Sequence, residues 1–194
     1  MCIRDRSGNG NDATQISAAA QPLIVSAGTI DTKNSKPSIN FDSNLKKLET
    51  GSGLVKVISS FSVANYETLN TVNYLYGTTS TRNSGLALAG SASAAKGLTA
   101  VDGGNVATLG NVENTNQQLQ TMINLADVGL SVNGAALTSL TYGADVYFEN
   151  IGDRGGAGNL ALIGRVQELI LYPSDQSANK AAIEANINTH YTIY

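Results

Sequence analysis

The apolar residues of this chain fall in short runs, mostly alternating with polar ones, and one longer run dominates. That run is Leu160–Tyr172, which holds no Pro and no Gly other than Gly164. Near its end apolar side chains occupy both parities, Val166, Ile170 and Tyr172 on one and Leu169 and Leu171 on the other. A strand turns successive residues to opposite faces, so this pattern predicts a central strand covered on both sides. Period 2 recurs at Leu54–Tyr66, where Val55, Val57, Phe61 and Val63 oppose Lys56, Ser60 and Ser62. It recurs at Gln117–Leu125, where Leu119, Ile123 and Leu125 oppose Gln118, Gln120 and Asn124. Both read as strands with one buried face. Ser7–Gln15 reads as a turn followed by a short strand, and further short strands are predicted at Pro22–Val25, Ser38–Phe41, Tyr74–Tyr76, Leu86–Ala89, Gly97–Val101 and Val146–Ile151, with a turn at Lys36-Pro37. Asn133-Gly134 between alternating apolar residues predicts a hairpin over Val128–Leu140. Ser91–Lys96 and the glycine-rich Gly152–Asn159 read as loops. After Pro173, Ser177 is placed to cap a helix. Ile183, Ile187 and Tyr191 then form one helical stripe, predicted to rest on a sheet. Many short strands and one terminal helix predict an all-β fold, a two-sheet β-sandwich or jelly roll.

Charge narrows the function classes. Only 14% of the residues are charged and the net charge is −3. A nucleic-acid groove or an anionic membrane surface calls for clustered Lys and Arg, so neither partner is expected. The longest apolar run is short of the roughly 20 residues of a membrane-spanning helix, so no insertion is expected. Cys2 is the sole cysteine and His190 the sole histidine, which leaves no internal disulfide and no zinc site. A domain of this size needs no disulfide staple, so an extracellular home stays open. The first six residues, M-C-I-R-D-R, resemble a translated sequencing adapter. They are set apart as a foreign leader, with residues 7–194 as one domain and genuine upstream sequence expected to be missing.

The candidate chemistry is concentrated in loops, which often carry function on a rigid sandwich. Asp153 can serve as an acid catalyst, a calcium ligand or a sugar hydrogen-bond acceptor, and Arg154 beside it as a bidentate donor. Asn150, Asp153 and Asn159 could supply oxygens to calcium, and Asp102 and Asn105 in D-G-G-N form a second candidate set. Ordinary turn chemistry explains both sets equally simply. No other cofactor is indicated. The chain has eight tyrosines and no tryptophan. Tyr74 and Tyr76 share a parity at one strand end, where an aromatic face could stack on a sugar ring; packing is the plainer role. Glu168 lies on an apolar parity, where burial would raise its pKa.

Three stretches carry a resemblance: S-G-N-G-N-D-A-T-Q with Q-P-L-I-V, K-P-S-I-N-F-D, and I-G-R-V-Q-E-L-I-L-Y-P-S-D-Q-S-A-N-K-A-A-I-E-A-N-I-N-T-H-Y. Together they resemble the concanavalin A-like (laminin-G-like) lectin/glucanase jelly-roll modules of bacteriophage and microbial surface proteins. The resemblance implies a carbohydrate-binding or adhesion module in a larger extracellular or virion protein. Its expected partners are a glycan or polysaccharide on a cell surface and other domains of the same polypeptide. With the loop chemistry above, the ligand-binding candidates are Asp153, Arg154, Asn159, Tyr76 and Asn150. The end motifs are also similar to the catalytic sandwich of α-L-arabinofuranosidase B. That family's general acid/base is the aspartate of a Gly-Asp pair, matched here by Gly152-Asp153. The family's nucleophile is a glutamate, but the matching stretch Y-L-Y-G-T-T holds no carboxylate. A glycoside hydrolase using Asp153 is therefore the second expectation, and a structural virion decoration domain the third.

Overall fold

A computed structural model describes residues 1–51, 53–69, 72–78, 84–89, 97–112, 114–154 and 160–194. Ser91–Lys96 and Asn159 lie outside the described residues. The strands of the first third are β1 (Cys2–Ile3), β2 (Ala13–Thr14), β3 (Val25–Ser26), β4 (Thr29–Ile30), β5 (Thr32–Lys33), β6 (Lys36–Pro37), β7 (Ile39–Phe41) and β8 (Leu48–Thr50). There follow β9 (Val55–Val57), β10 (Ser59–Tyr66), β11 (Asn73–Gly77), β12 (Ser84–Ala89), β13 (Gly97–Asp102) and β14 (Asn105–Gly110). The last strands are β15 (Gln118–Asn124), β16 (Val128–Val132), β17 (Thr138–Leu140), β18 (Val146–Phe148), β19 (Asn150–Ile151) and β20 (Gly164–Tyr172), before helix α1 (Lys180–Tyr191).

The larger sheet has the order β1-β2-β8-β19-β11-β12-β13-β14, and the smaller one β17-β16-β15-β10-β20-β7. Every pairing within both is antiparallel. Tyr76, Leu86, Leu88 and Leu98 of the larger sheet meet Ala64, Tyr66, Met122, Leu130 and Val166 of the smaller in one core. The molecule is thus an all-β sandwich with a single C-terminal α-helix, as predicted. Among the described residues no helix is long and apolar enough to cross a membrane.

The outer side of the smaller sheet is closed by α1. Ile183, Ile187 and Tyr191 pack on Phe61, Val63 and Leu119, as the helical stripe predicts. This closure corrects the expectation of one-sided strands. The apolar parity of β10 and β15 faces the helix, while Ser60, Gln118 and Gln120 face the opposite sheet. β10 is buried at every residue, and the predicted central strand β20 is covered on both faces, Leu169 and Leu171 packing on the inter-sheet core and Ile170 and Tyr172 on the helix-side cluster. Cross-sheet hydrogen bonds accommodate the buried polar groups. Tyr66 Oη donates to Gln120 Oε1 at 3.0 Å and Tyr76 Oη to Ser60 Oγ at 2.9 Å. Gln118 Nε2 donates to the Val112 carbonyl at 2.6 Å.

Local geometry corrects other details. The long apolar strand begins only at Gly164, where a Cβ would collide with the Asn65 carbonyl of the neighbouring strand. Leu54–Tyr66 divides at Ile58: β9 leaves to pair with β18, and β10 enters the smaller sheet. Lys36-Pro37 is a paired strand; the turn is Asn34-Ser35, both at positive φ. The Asn133-Gly134 turn is present, with φ of 54° and 74°. Ser177 opens a 3₁₀ turn rather than capping α1, and the Asp175 carboxylate accepts its N–H at 2.8 Å. Cys2–Ile3, within the stretch read as a leader, pair with Ala13–Thr14 at the edge of the larger sheet.

A strap formed by β5 and β6 is tied to the smaller sheet through Arg165. Its Nε donates to Asp31 Oδ1 at 2.6 Å, and its Nη1 donates to Glu67. Asp31 also accepts from Ser38 Oγ at 2.9 Å and Asn40 Nδ2 at 2.8 Å. Burial alone would raise the Asp31 carboxyl, but the hydrogen bonds from Arg165, Asn40 and Ser38 hold it below its ordinary value. The linkage has a definite sign. This stability is fully present above the unfolded-state pKa and is lost as the pH falls through the lower folded value. Asp31→Asn is expected to lower stability at neutral pH, and the gap from wild type should close in acid. Denaturant midpoints measured across pH check this; a gap that stayed constant into strong acid would contradict it.

Candidate functional site

Of the predicted ligand residues, Asn150, Asp153 and Arg154 lie together at the outer face of the larger sheet. Asn150 lies opposite Gly77, Gly77 opposite Gly85, and Gly85 opposite Val101. On its other side Asn150 faces Glu49, whose side chain is 53% exposed, so this row points away from the core. The two glycines leave a floor without side chains. The Tyr74 ring lies against it, its Cδ1 3.1 Å from where a Gly85 Cβ would stand and 3.4 Å from a Gly77 Cβ.

A β-bulge puts Tyr74 there. The register slips between Tyr74 and Tyr76, so Tyr74 pairs with Ala87 and Tyr76 with Leu86. The predicted common parity is therefore wrong, and the two tyrosines occupy opposite faces. Tyr74 packs with Ala87 and Val101 outside, whereas Tyr76 joins the inter-sheet core. Tyr76 is fully buried and bonded to Ser60, so it has no surface on which a ligand could stack. That corrects its placement among the ligand-binding candidates.

The loop after β19 supplies the polar groups. Gly152, at φ +83°, turns the chain off the sheet; its N–H donates to the Leu75 carbonyl at 2.8 Å. Two residues on, the Arg154 Cα passes 3.1 Å from where a Gly77 Cβ would stand. The Arg154 guanidinium lies over the Tyr74 ring, 5.3 Å from its centroid, in cation–π contact. Burial pushes the Tyr74 phenol above its ordinary value, and Arg154 draws it part of the way back. Asp153 and Arg154 are both partly exposed. Beneath them Asn150 is 1% exposed, and both polar atoms of its amide lack hydrogen-bond partners among the described residues.

The other candidates lie elsewhere. Asp102 and Asn105 close the two-residue Gly103-Gly104 hairpin between β13 and β14, and Asn105 Nδ2 donates to the Asp102 carbonyl at 3.4 Å. That turn accounts for both residues. Among the described residues, His, Cys, Asp and Glu form no cluster of three or more suited to a metal. Glu168 lies opposite Val63, on the helix-covered face of the smaller sheet. Stacked sheets are separated by about 10 Å, and Asp153 lies beyond the far sheet, so the two carboxylates cannot approach the roughly 5–9.5 Å of a glycosidase pair. Burial raises the Glu168 carboxyl, with His190 and the Tyr191 hydroxyl opposing the rise. The Tyr191 phenol is itself pushed up to about 12 by burial and by Glu168. Sequence reasoning missed that Tyr74, not Tyr76, is the outer aromatic. The available signal was the pair of strand glycines, Gly77 and Gly85, since glycine within a strand often marks a bulge or a close approach.

No protein-family model matches the chain, and no curated protein matches it. Solved structures do. Domain 4 of AbnA, a GH43 extracellular arabinanase from Geobacillus stearothermophilus in complex with arabinotriose, aligns with a TM-score of 0.55 and 14% identity. The alignment covers 81% of this chain and 83% of that one. The likeness is one of fold. A Trypanosoma rangeli sialidase, in complex with 2,3-difluorosialic acid as a covalent intermediate, aligns with a TM-score of 0.45 and 11% identity. There the alignment takes in 67% of this chain and 23% of the sialidase chain.

Proposed function

We propose that this chain is a non-catalytic carbohydrate-binding module of the concanavalin A-like kind, part of a larger secreted or virion-borne polypeptide. It recognises a glycan on a cell surface through Asp153 and Arg154. The observation that carries this reading is the Arg154 guanidinium held over Tyr74 beside Asp153. A sugar diol both donates and accepts hydrogen bonds. The carboxylate takes one hydroxyl proton, and the guanidinium fork donates to the neighbouring oxygen. Tyr74 fixes the position of Arg154 before the ligand arrives, which lowers the ordering cost of binding. The arabinanase domain, of similar fold and with arabinotriose bound, supports the choice of ligand class and makes arabino-oligosaccharides the first probes.

A glycan array, run with and without calcium, tests the proposal. Arg154→Ala is expected to weaken the strongest hit about 10- to 100-fold, the range for a lost hydrogen bond to a charged group. Asp153→Asn should weaken it less, because the amide still accepts. Binding to no glycan in either condition would refute the reading. Release of arabinose from an aryl arabinofuranoside by the wild type, lost in Asp153→Asn, would replace it with hydrolysis.

A further inference from the structure

We propose that the groove between α1 and β20 is a second site, specific for a neutral saccharide and independent of the Asp153–Arg154 site. The groove is a shallow depression, open to solvent, with a volume of about 430 Å³. Its lining combines apolar residues, among them Ile170, Tyr172 and Ile183, with the carboxamide residues Gln176, Asn179 and Asn186. Among the described residues that line it, none is charged. It opens on the outer side of the smaller sheet, away from Asp153 and Arg154.

The chemistry of the lining selects the ligand. A saccharide has apolar C–H faces and edges of hydroxyl groups. An aromatic and aliphatic wall fits the first, and a row of amides, each both donor and acceptor, fits the second. A charged ligand would find no counter-ion among the lining residues. The wall is already ordered. Tyr172 packs edge-on against Phe61, with centroids 6.2 Å apart and planes at 86°. Asn179 Nδ2 donates to Gln176 Oε1 at 2.9 Å, and Gln176 Nε2 donates to Ser174 Oγ at 2.9 Å. Two sites on opposite outer faces would let one module bridge two glycan chains, raising avidity without new contacts.

The test is a titration of the ¹⁵N-labelled full chain with cellotriose, maltotriose and xylotriose, with trigalacturonic acid as the charged control. At least one neutral trisaccharide should shift the amide signals of Asn179, Ala182 and Asn186, with a Kd of about 1 mM or tighter. Tyr172→Ala should weaken that binding ~10-fold or more. Asn186→Ala, at an exposed position that leaves the fold intact, should weaken it as well. Arg154→Ala should leave it unchanged, so failure of this site and failure of the first are read separately. No shift in the groove from any neutral trisaccharide, an equal response to trigalacturonate, or loss of the response in Arg154→Ala would each overturn the proposal.

Discussion

Gly152→Ala is expected to destabilise the protein by about 3 kcal/mol or more. Two costs act at this position. The backbone there has φ of +83°, a conformation that side-chain-bearing residues rarely adopt. A Cβ would also fall inside the van der Waals surface of the Phe41 ring, which is fully buried and cannot retreat. Gly152 further anchors the loop at both ends, since its carbonyl accepts from Leu162 N–H at 2.7 Å. The substitution should therefore lower the urea midpoint without changing the slope, and reduce glycan binding through displacement of Asp153 and Arg154. Combination with Phe41→Val should cost less than the two changes added, because removing the ring also removes the atoms that the new Cβ would strike. Additive losses, or a wild-type midpoint for Gly152→Ala, would show that Phe41 does not set the constraint.

Lys180→Met is expected to cost about 3–5 kcal/mol, the penalty for leaving a buried carboxylate without its counter-ion. Glu184 is only 3% exposed and faces the smaller sheet from α1. It accepts from Thr121 Oγ1 at 2.6 Å and from Lys180 Nζ at 2.7 Å. Lys180 also donates to the Ala135 carbonyl at 2.8 Å, tying the helix to the turn of the β16–β17 hairpin. The paired replacement Lys180→Met with Glu184→Leu should recover most of the loss, since removing both charges leaves no orphan. Thermal or urea unfolding of the two variants decides the matter. A single variant within ~1 kcal/mol of wild type would mean that water reaches Glu184 and the pair is not truly buried.

The candidate site was partly legible in advance. Asp153 and Arg154 could be picked out because they follow a glycine in a loop between strands, and local turn chemistry is written locally. Asn150 could be chosen as polar, but its burial under the loop depends on where Arg154 crosses Gly77. Tyr74 and Tyr76 could not be told apart by alternation, because the bulge between them breaks the period on which alternation rests. The same limit applies to β10 and β15. Their period is plain, but period says only that two faces differ, not which one meets the other sheet.

The all-β class, the glycine and asparagine turns, and the helical stripe of Ile183, Ile187 and Tyr191 are written in the order of residues. These follow from short-range sterics and from the side-chain period, which neighbours along the chain settle among themselves. Long-range packing made α1 claim the apolar face of β10 and β15, leaving serine and glutamine to bond between the sheets. It likewise decided that Arg154 lies over Tyr74. Those outcomes depend on which distant surfaces compete for the same apolar area, and that competition is resolved only when the chain has folded.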